Sequence, residues 1–504
     1  MSDSPRRRRG LAPETLASSL LVVLLVNALQ RSVGLGRSLL FGRWLEPIEL
    51  GHWEMAYGFL VFAAPLAVMG LPGSFSRYLE KYRQQGRLRL FLSRTAWWTF
   101  GLAVAAIALL AWRSDAVAAF VFGDATQARL AEVMIAALAI VIVHHFMEAV
   151  FAGLRMFRVV SAMHFTQSML FAATSLTLIS VWRASAVSIV IGYAAACFVS
   201  LVGVAVWSTL RIERSPDSGD SLSHQEFWPP LMRFAIWVWV TNLLTNTFSV
   251  IDRYMIVHCG VFSTDEALAQ VGNYHTSHMV PVLLVSVANL VVGAMTPHLS
   301  HDWESGRRDA VADRLNLSLK LTGLAMLVGG AIVLAVCPLL FHYVFNDKYA
   351  DGLAVLPWAV AACVWFSLLL VAQTYVWCAE QSRRAAGPLV IGIACNVTLN
   401  VVLLPSFGLL GALIATGVST LIAFFAQLRV NRRLGMHIER SAALVGLAPL
   451  LLVFGATPAL VGCCVVVPLA VGSGRFLTPT QRTSLVDAVR ARLPGRIQSA
   501  QAAP

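Results

Sequence analysis

The sequence predicts an all-α integral membrane protein: about 14 transmembrane helices, in two pseudo-symmetric six-helix lobes followed by a C-terminal helical hairpin. Three observations predict it. The 504 residues are 58% hydrophobic and 13% charged, with a mean hydropathy of +0.71; soluble domains carry nearer a quarter charged residues. Apolar stretches long enough to span a bilayer recur along the whole chain. Lys and Arg are segregated into alternate connecting segments.

The apolar spans lie near residues 16–41, 52–71, 91–112, 130–152, 160–182, 185–208, 231–257, 274–297, 317–342, 353–377, 386–404, 408–428, 441–456 and 458–473. The last two are short enough to be one bent hairpin. With the N-terminus inside, one set of loops holds 28 of the 38 Lys and Arg residues, from Arg6–Arg9 through Arg432, Arg433 and the tail. The opposite loops hold only Arg43, Arg113, Arg129, Arg183 and Lys348. This positive-inside pattern places both termini in the cytoplasm. It also accounts for the net charge of +12 by topology, so nucleic acid is not expected as a partner.

Four segments are expected: an N-terminal lobe at 1–211, a second lobe at 212–434, an additional hairpin at 435–474 and a cytoplasmic tail at 475–504. Residues 212–226, rich in Ser, Asp, Glu and Pro, read as the linker between halves. The halves echo one another. Gly51-His52-Trp53 precedes Gly86-Arg87 by 35 residues, and Gly272-Asn273-Tyr274 precedes Gly306-Arg307 by 34. Six spans per half imply a parallel repeat with a site between the lobes. The tail from Thr478 to Leu493 has the pattern of an amphipathic helix.

The stretch Thr241 to Arg253 organises the functional reading. Asn242, Thr245, Asn246, Ser249, Asp252 and Arg253 share one helical stripe inside an apolar span. Polar groups in hydrocarbon are costly, about 3 kcal/mol for an Arg at mid-span, so such a stripe is expected to line a wet cavity. The first span repeats the pattern with Asn27, Gln30, Arg31, Gly34 and Ser38. Arg31, Arg37 and Arg253 are the candidate ligands for a phosphate or pyrophosphate, which Arg binds bidentately. Asp252, Asn27, Asn242 and Asn246 complete the candidate substrate-binding set. Arg31 and Arg37 face one cavity only if Gly34 and Gly36 bend the span.

His144 and Glu148 share a helix face in the fourth span and are candidate ion-coupling residues, for a cation or a proton. The alternative is interhelical hydrogen bonding. Lys320 and Arg233, near span ends, read as snorkelling cations. The 8 cysteines form no metal-spaced pattern and read as small apolar packing residues, so no metal is expected. No cleavable signal, P-loop, nucleophile elbow or zinc signature is present, and every loop is short. The chain is therefore expected not to be an enzyme and to hold no cofactor, with H+ or Na+ as candidate coupling ions.

The segment Asn396 to Thr420, NVTLNVVLLPSFGLLGALIATGVST, resembles the polysaccharide exporter branch of the multidrug/oligosaccharidyl-lipid/polysaccharide superfamily, O-antigen flippases included. LEPIELG at Leu45–Gly51, SRYLEKYRQQG at Ser76–Gly86, IDRYMI at Ile251–Ile256 and FNDKYADG at Phe345–Gly352 fit the same family in order and spacing. The resemblance implies two six-helix lobes and alternating access. It implies flipping of an undecaprenyl-pyrophosphate-linked oligosaccharide across the bacterial cytoplasmic (inner) membrane, for O-antigen, lipopolysaccharide or exopolysaccharide assembly, beside a polymerase and other assembly proteins. Arg31 and Arg37 also resemble the arginine pair of lipid II flippases, but Ser38 stands where those carry an acid. A lipid II flippase, a cation-coupled multidrug exporter and a membrane polysaccharide polymerase are the alternatives.

Overall fold

A computed structural model of the chain describes residues 16–211, 223–472, 476 and 481, with most side chains described from residue 29 onward. Arg6–Arg9, most of the expected linker and the tail helix at Thr478–Leu493 fall outside the described residues, as does the side chain of Asn27. The described residues are overwhelmingly helical and include no strand. They form two compact units, residues 1–250 with 262–272 and residues 251–261 with 273–504.

Unit 1 contains α1 (Leu16–Trp44), α2 (Pro47–Ala67), α3 (Phe75–Gln84), α4 (Leu88–Trp112), α5 (Ser114–Phe122), α6 (Ala128–Gly153), α7 (Phe157–Val181), α8 (Ala186–Arg211), most of α9 (His224–Cys259) and the first part of α10 (Thr264–Met279). The end of α9 and the end of α10 belong to unit 2. That unit continues with α11 (Val282–Glu304), α12 (Arg308–Tyr343), α13 (Ala350–Cys378), α14 (Ser382–Arg433), α15 (Arg440–Leu444), α16 (Leu450–Val453) and α17 (Ala456–Gly472). Among the described residues 8 helices are long and apolar enough to cross a membrane: α4, α6, α8, α9, α11, α12, α13 and α14. α2 and α7, with 21 and 25 residues, also have bridging length at about 1.5 Å per residue.

Two of the expected spans differ from the structure, and one break falls where the spans place it. The expected span 274–297 is two helices, because α10 stops at Met279 and Pro281, which has no N–H to give, precedes α11. The expected spans 386–404 and 408–428 are the two helical arms of α14, which part where expected, at Gly408 with φ 56° and ψ −137°. Only glycine adopts that backbone comfortably, so the turn after Pro405 depends on it. The expected span 441–456 is not a single helix. It is α15, a 3-10 turn at Val445–Leu447 and α16, ending at Gly455 with φ 95°.

Within unit 1, α6 is the central helix, burying Met134, Leu138, Val141 and Ile142 against its neighbours. The two glycines of the repeat lie in the contact between α2 and α10. A Cβ on Gly51 of α2 would collide with the carbonyl of Leu268, and one on Gly272 with the carbonyl of Pro47. Both positions thus permit backbone contact between α2 and the start of α10.

In unit 2 the central helix is α13, with Val355, Ala359, Val364, Trp365, Leu368 and Tyr375 buried. The indole N–H of Trp365 donates to Gly446 O at 2.8 Å, and Asn431 Nδ2 donates to Ala372 O at 2.8 Å. Asp302, 2% exposed, is clasped by Arg307 at 2.6 Å and Arg314 at 2.7 Å.

Lys320 corrects the sequence reading. It does not snorkel. It is completely buried in α12, where its ammonium pairs with Glu439 and donates to Gln481 Oε1 at 3.2 Å. Gln481 Nε2 donates to the other Glu439 oxygen at 3.2 Å. Asn316, one turn earlier, donates to His437 O at 2.7 Å and accepts from Glu439 N at 3.1 Å. A buried ammonium requires such a partner, and the segment before α15 supplies it.

Candidate functional site

Arg37 sits where α1 packs on α7. Its guanidinium carbon lies 3.9 Å from the centroid of the Phe171 ring and 5.9 Å from that of Phe41. Phe171 is held in turn by Trp53 at 5.5 Å and Tyr193 at 5.1 Å, ring centroid to centroid. Tyr57 flanks both, 5.4 Å from Trp53 and 5.9 Å from Tyr193. A planar cation on an aromatic face is a favourable and oriented arrangement. Arg37 Nε is nevertheless buried without a hydrogen-bond partner, and among the described residues no carboxylate pairs with Arg37. A desolvated cation of this kind is suited to receive an anion from outside the chain.

Arg31, one and a half turns earlier, is exposed and likewise has no ion pair among the described residues. α1 is helical through both Gly34 and Gly36. Neither glycine breaks the helix. Arg31 and Arg37 lie in different surroundings, one open and one seated on aromatic rings.

The polar residues of α9 differ in their exposure. Asn242 and Ser249 are exposed, and Thr245 and Asn246 are half-buried. The hydroxyls are satisfied by their own helix: Thr245 donates to Thr241 O at 3.0 Å and Ser249 to Asn246 O at 2.8 Å. Asn246 reaches across to Val61 O of α2 at 3.4 Å. Arg253, half-buried, lies 5.9 Å from the centroid of the Tyr274 ring.

Asp252 departs from the stripe and is a second correction. It is 1% exposed and faces into unit 2. At about 100° per residue it falls on the edge of the stripe, whereas Arg253 falls near its centre. Its Oδ1 accepts from Asn396 Nδ2 at 2.8 Å and Asn400 Nδ2 at 3.0 Å. Its Oδ2 accepts from Thr416 Oγ1 at 2.8 Å and Tyr274 OH at 3.1 Å. Neutral groups surround this carboxylate, Thr416 sharing its one hydroxyl proton between Asp252 and Ala412 O, each at 2.8 Å, and among the described residues no cation pairs with it. The Asn396/Asn400 pair was visible in the sequence as one helix face. Thr416 and Tyr274 were not, since nothing local ties them to residue 252.

The structure also enlarges the His144/Glu148 pair. His144, His145 and Glu148 of α6 each offer a ligand atom, all within 4.8 Å of one another. His164 of α7 adds its Nε2, 3.0 Å from Glu148 Oε1. The expected interhelical hydrogen bond is thus present, and sequence spacing had no means of finding His164. Buried Glu54 of α2 was also missed.

Among the described residues the fold is all-α, with 8 helices long and apolar enough to cross a membrane, a run of polar residues along α9 and two arginines without a carboxylate partner on α1. The model of the family described as "Polysaccharide biosynthesis protein" matches residues 16–303, and the chain belongs to that family. No curated protein sequence matches it. Among solved structures, the lipid II flippase MurJ in an inward closed conformation is similar with a TM-score of 0.67 and 11% identity, covering 94% of this chain and 100% of that one. An inward-facing multidrug resistance MATE transporter of the MOP superfamily is similar with a TM-score of 0.66 and 13% identity, covering 80% and 95%. A MOP superfamily transporter from Pyrococcus furiosus gives a TM-score of 0.57 at 13% identity, over 82% and 95%. The fold of this chain is similar to that of these three solved structures.

Proposed function

We propose that the protein flips an undecaprenyl-pyrophosphate-linked oligosaccharide across the bacterial cytoplasmic membrane by alternating access, for O-antigen, lipopolysaccharide or exopolysaccharide assembly. The observation that carries this reading is Arg37: a guanidinium stacked 3.9 Å from the Phe171 centroid, with no carboxylate partner among the described residues. A pyrophosphate supplies the missing anion, and Arg is the side chain that takes its oxygens bidentately. Arg31 is the second cation of the same helix, and Arg253, near Tyr274, is the candidate cation of unit 2. Asn242 and Asn246 offer amides suited to sugar hydroxyls, as does Asn27. Membership of the polysaccharide biosynthesis family favours a glycan cargo over a drug.

Transport against a gradient requires an energy source. H+ or Na+ is the proposed coupling ion, and the best-suited acceptor is Asp252, because its buried charge is answered only by neutral donors. A polymerase and other assembly proteins would take up the flipped product, with both termini of the flippase in the cytoplasm.

The test is replacement of Arg37 by Ala in cells that depend on this chain for surface glycan. Lipid-linked intermediates should accumulate on the inner leaflet while protein in the membrane is unchanged, and Arg37→Lys should restore export in part. Normal export by Arg37→Ala and by Arg31→Ala would refute the pyrophosphate reading. Accumulation of lipid II in place of the oligosaccharide intermediate would move the assignment to a lipid II flippase.

A further inference from the structure

We propose that His144, His145, Glu148 and His164 form a binding site for a divalent first-row transition-metal ion, which ties α6 to α7 within unit 1. The proposal is independent of the cargo. It begins with the tautomer of His144. Ser200 Oγ lies 3.4 Å from His144 Nε2 and donates its single proton to Met163 O at 3.2 Å. Having given its proton away, Ser200 can only accept from His144, so Nε2 carries the hydrogen. His144 Nδ1 is then the lone-pair nitrogen, and it is buried with no hydrogen-bond partner. An imidazole fixed through one nitrogen by an outer oxygen, with the other bare, is how proteins present a histidine to a metal.

The other donors are close by. His144, His145 and Glu148 place their ligand atoms within 4.8 Å of one another, and His164 Nε2 stands 3.0 Å from Glu148 Oε1. Tetrahedral ligands at about 2.0–2.1 Å from a zinc ion lie about 3.3 Å apart. Side-chain rotation closes the remaining gap, and His145, which is exposed, has the freedom to do so. Three imidazoles and one carboxylate favour Zn2+, Co2+ or Ni2+ over Na+, Mg2+ or Ca2+, which prefer oxygen. The Glu148 carboxylate offsets half of the ion's charge.

The test uses the full-length chain without a histidine tag, in detergent and stripped with chelator. Co2+ is added alone and followed by its visible d–d absorption, then displaced by Zn2+. One Co2+ per chain in an imidazole environment is expected, with affinity lowered at least tenfold in His145→Ala and Glu148→Gln. Ser200→Ala should weaken binding about 10- to 100-fold through loss of the outer contact. His145 is exposed, so His145→Ala keeps the test independent of folding, and unchanged melting of the metal-free variant verifies this. Absence of Co2+ binding, or equal stoichiometry and affinity in His145→Ala and His164→Ala, would overturn the site.

Discussion

The guanidinium carbon of Arg37 lies 3.9 Å from the ring centroid of Phe171, so an aromatic face on α7 orients a charge carried by α1. The contact links packing within unit 1 to the proposed chemistry. Cation–π contacts are worth about 0.5–2 kcal/mol. Phe171→Leu should therefore reduce glycan export several-fold without removing the protein from the membrane, and Phe171→Tyr should retain it. Surface glycan measured beside membrane protein level decides this. Equal export by Phe171→Leu would separate the stacking from function.

Asp252 offers a separation of charge from shape. In Asp252→Asn the remaining carbonyl oxygen can still accept from Asn396 and Asn400. The new amide can donate to the hydroxyl oxygens of Thr416 and Tyr274, each of which accepts as well as donates. Melting in detergent should move little. Asp252→Leu takes the acceptor from Asn396 Nδ2 and Tyr274 OH, at about 1–3 kcal/mol for each, and should melt lower. Transport by Asp252→Asn should lose its dependence on the proposed H+ or Na+ gradient. Unaltered gradient dependence in that variant would remove Asp252 from coupling.

Lys320 and Glu439 hold the segment before α15 against α12. Removing one partner of a fully buried pair costs about 3–5 kcal/mol. Glu439 keeps 20% of its side chain exposed, so roughly 2 kcal/mol is expected for Lys320→Met. The double variant Lys320→Met/Glu439→Gln should recover part of that loss, and a double-mutant cycle on thermal melting measures it. A cycle with zero coupling would show that the pair contributes nothing.

Gly51 and Gly34 should respond in opposite ways to Ala. At Gly51 the added methyl meets the backbone of Leu268, and overpacking of this kind costs about 1–3 kcal/mol. At Gly34 no heavy atom lies within 4 Å of the new carbon. The helix there gains about 0.5–1 kcal/mol from the better helix former. Melting temperatures of the two variants provide the comparison, and destabilisation by Gly34→Ala would show that α1 needs the flexibility its sequence suggested.

The sequence by itself determined the class of fold. Its apolar stretches, the Lys/Arg asymmetry and the family motifs depend on local composition and on the bilayer, so they were legible without coordinates. The Gly408 turn was legible too, since Pro405 and Gly408 act on the backbone locally. The arginines and the α9 stripe could be named because charge in an apolar span is conspicuous. What each polar residue touches was decided only by tertiary structure. Asp252 and Arg253 are neighbours in sequence, yet Asp252 turns into a cage built by α10 and α14 while Arg253 does not. Lys320 read as a snorkelling cation until a segment more than a hundred residues away supplied Glu439. His164 joined Glu148 across two helices. Helical periodicity states which residues share a face, but the partner on that face comes from another helix, and only packing brings it there.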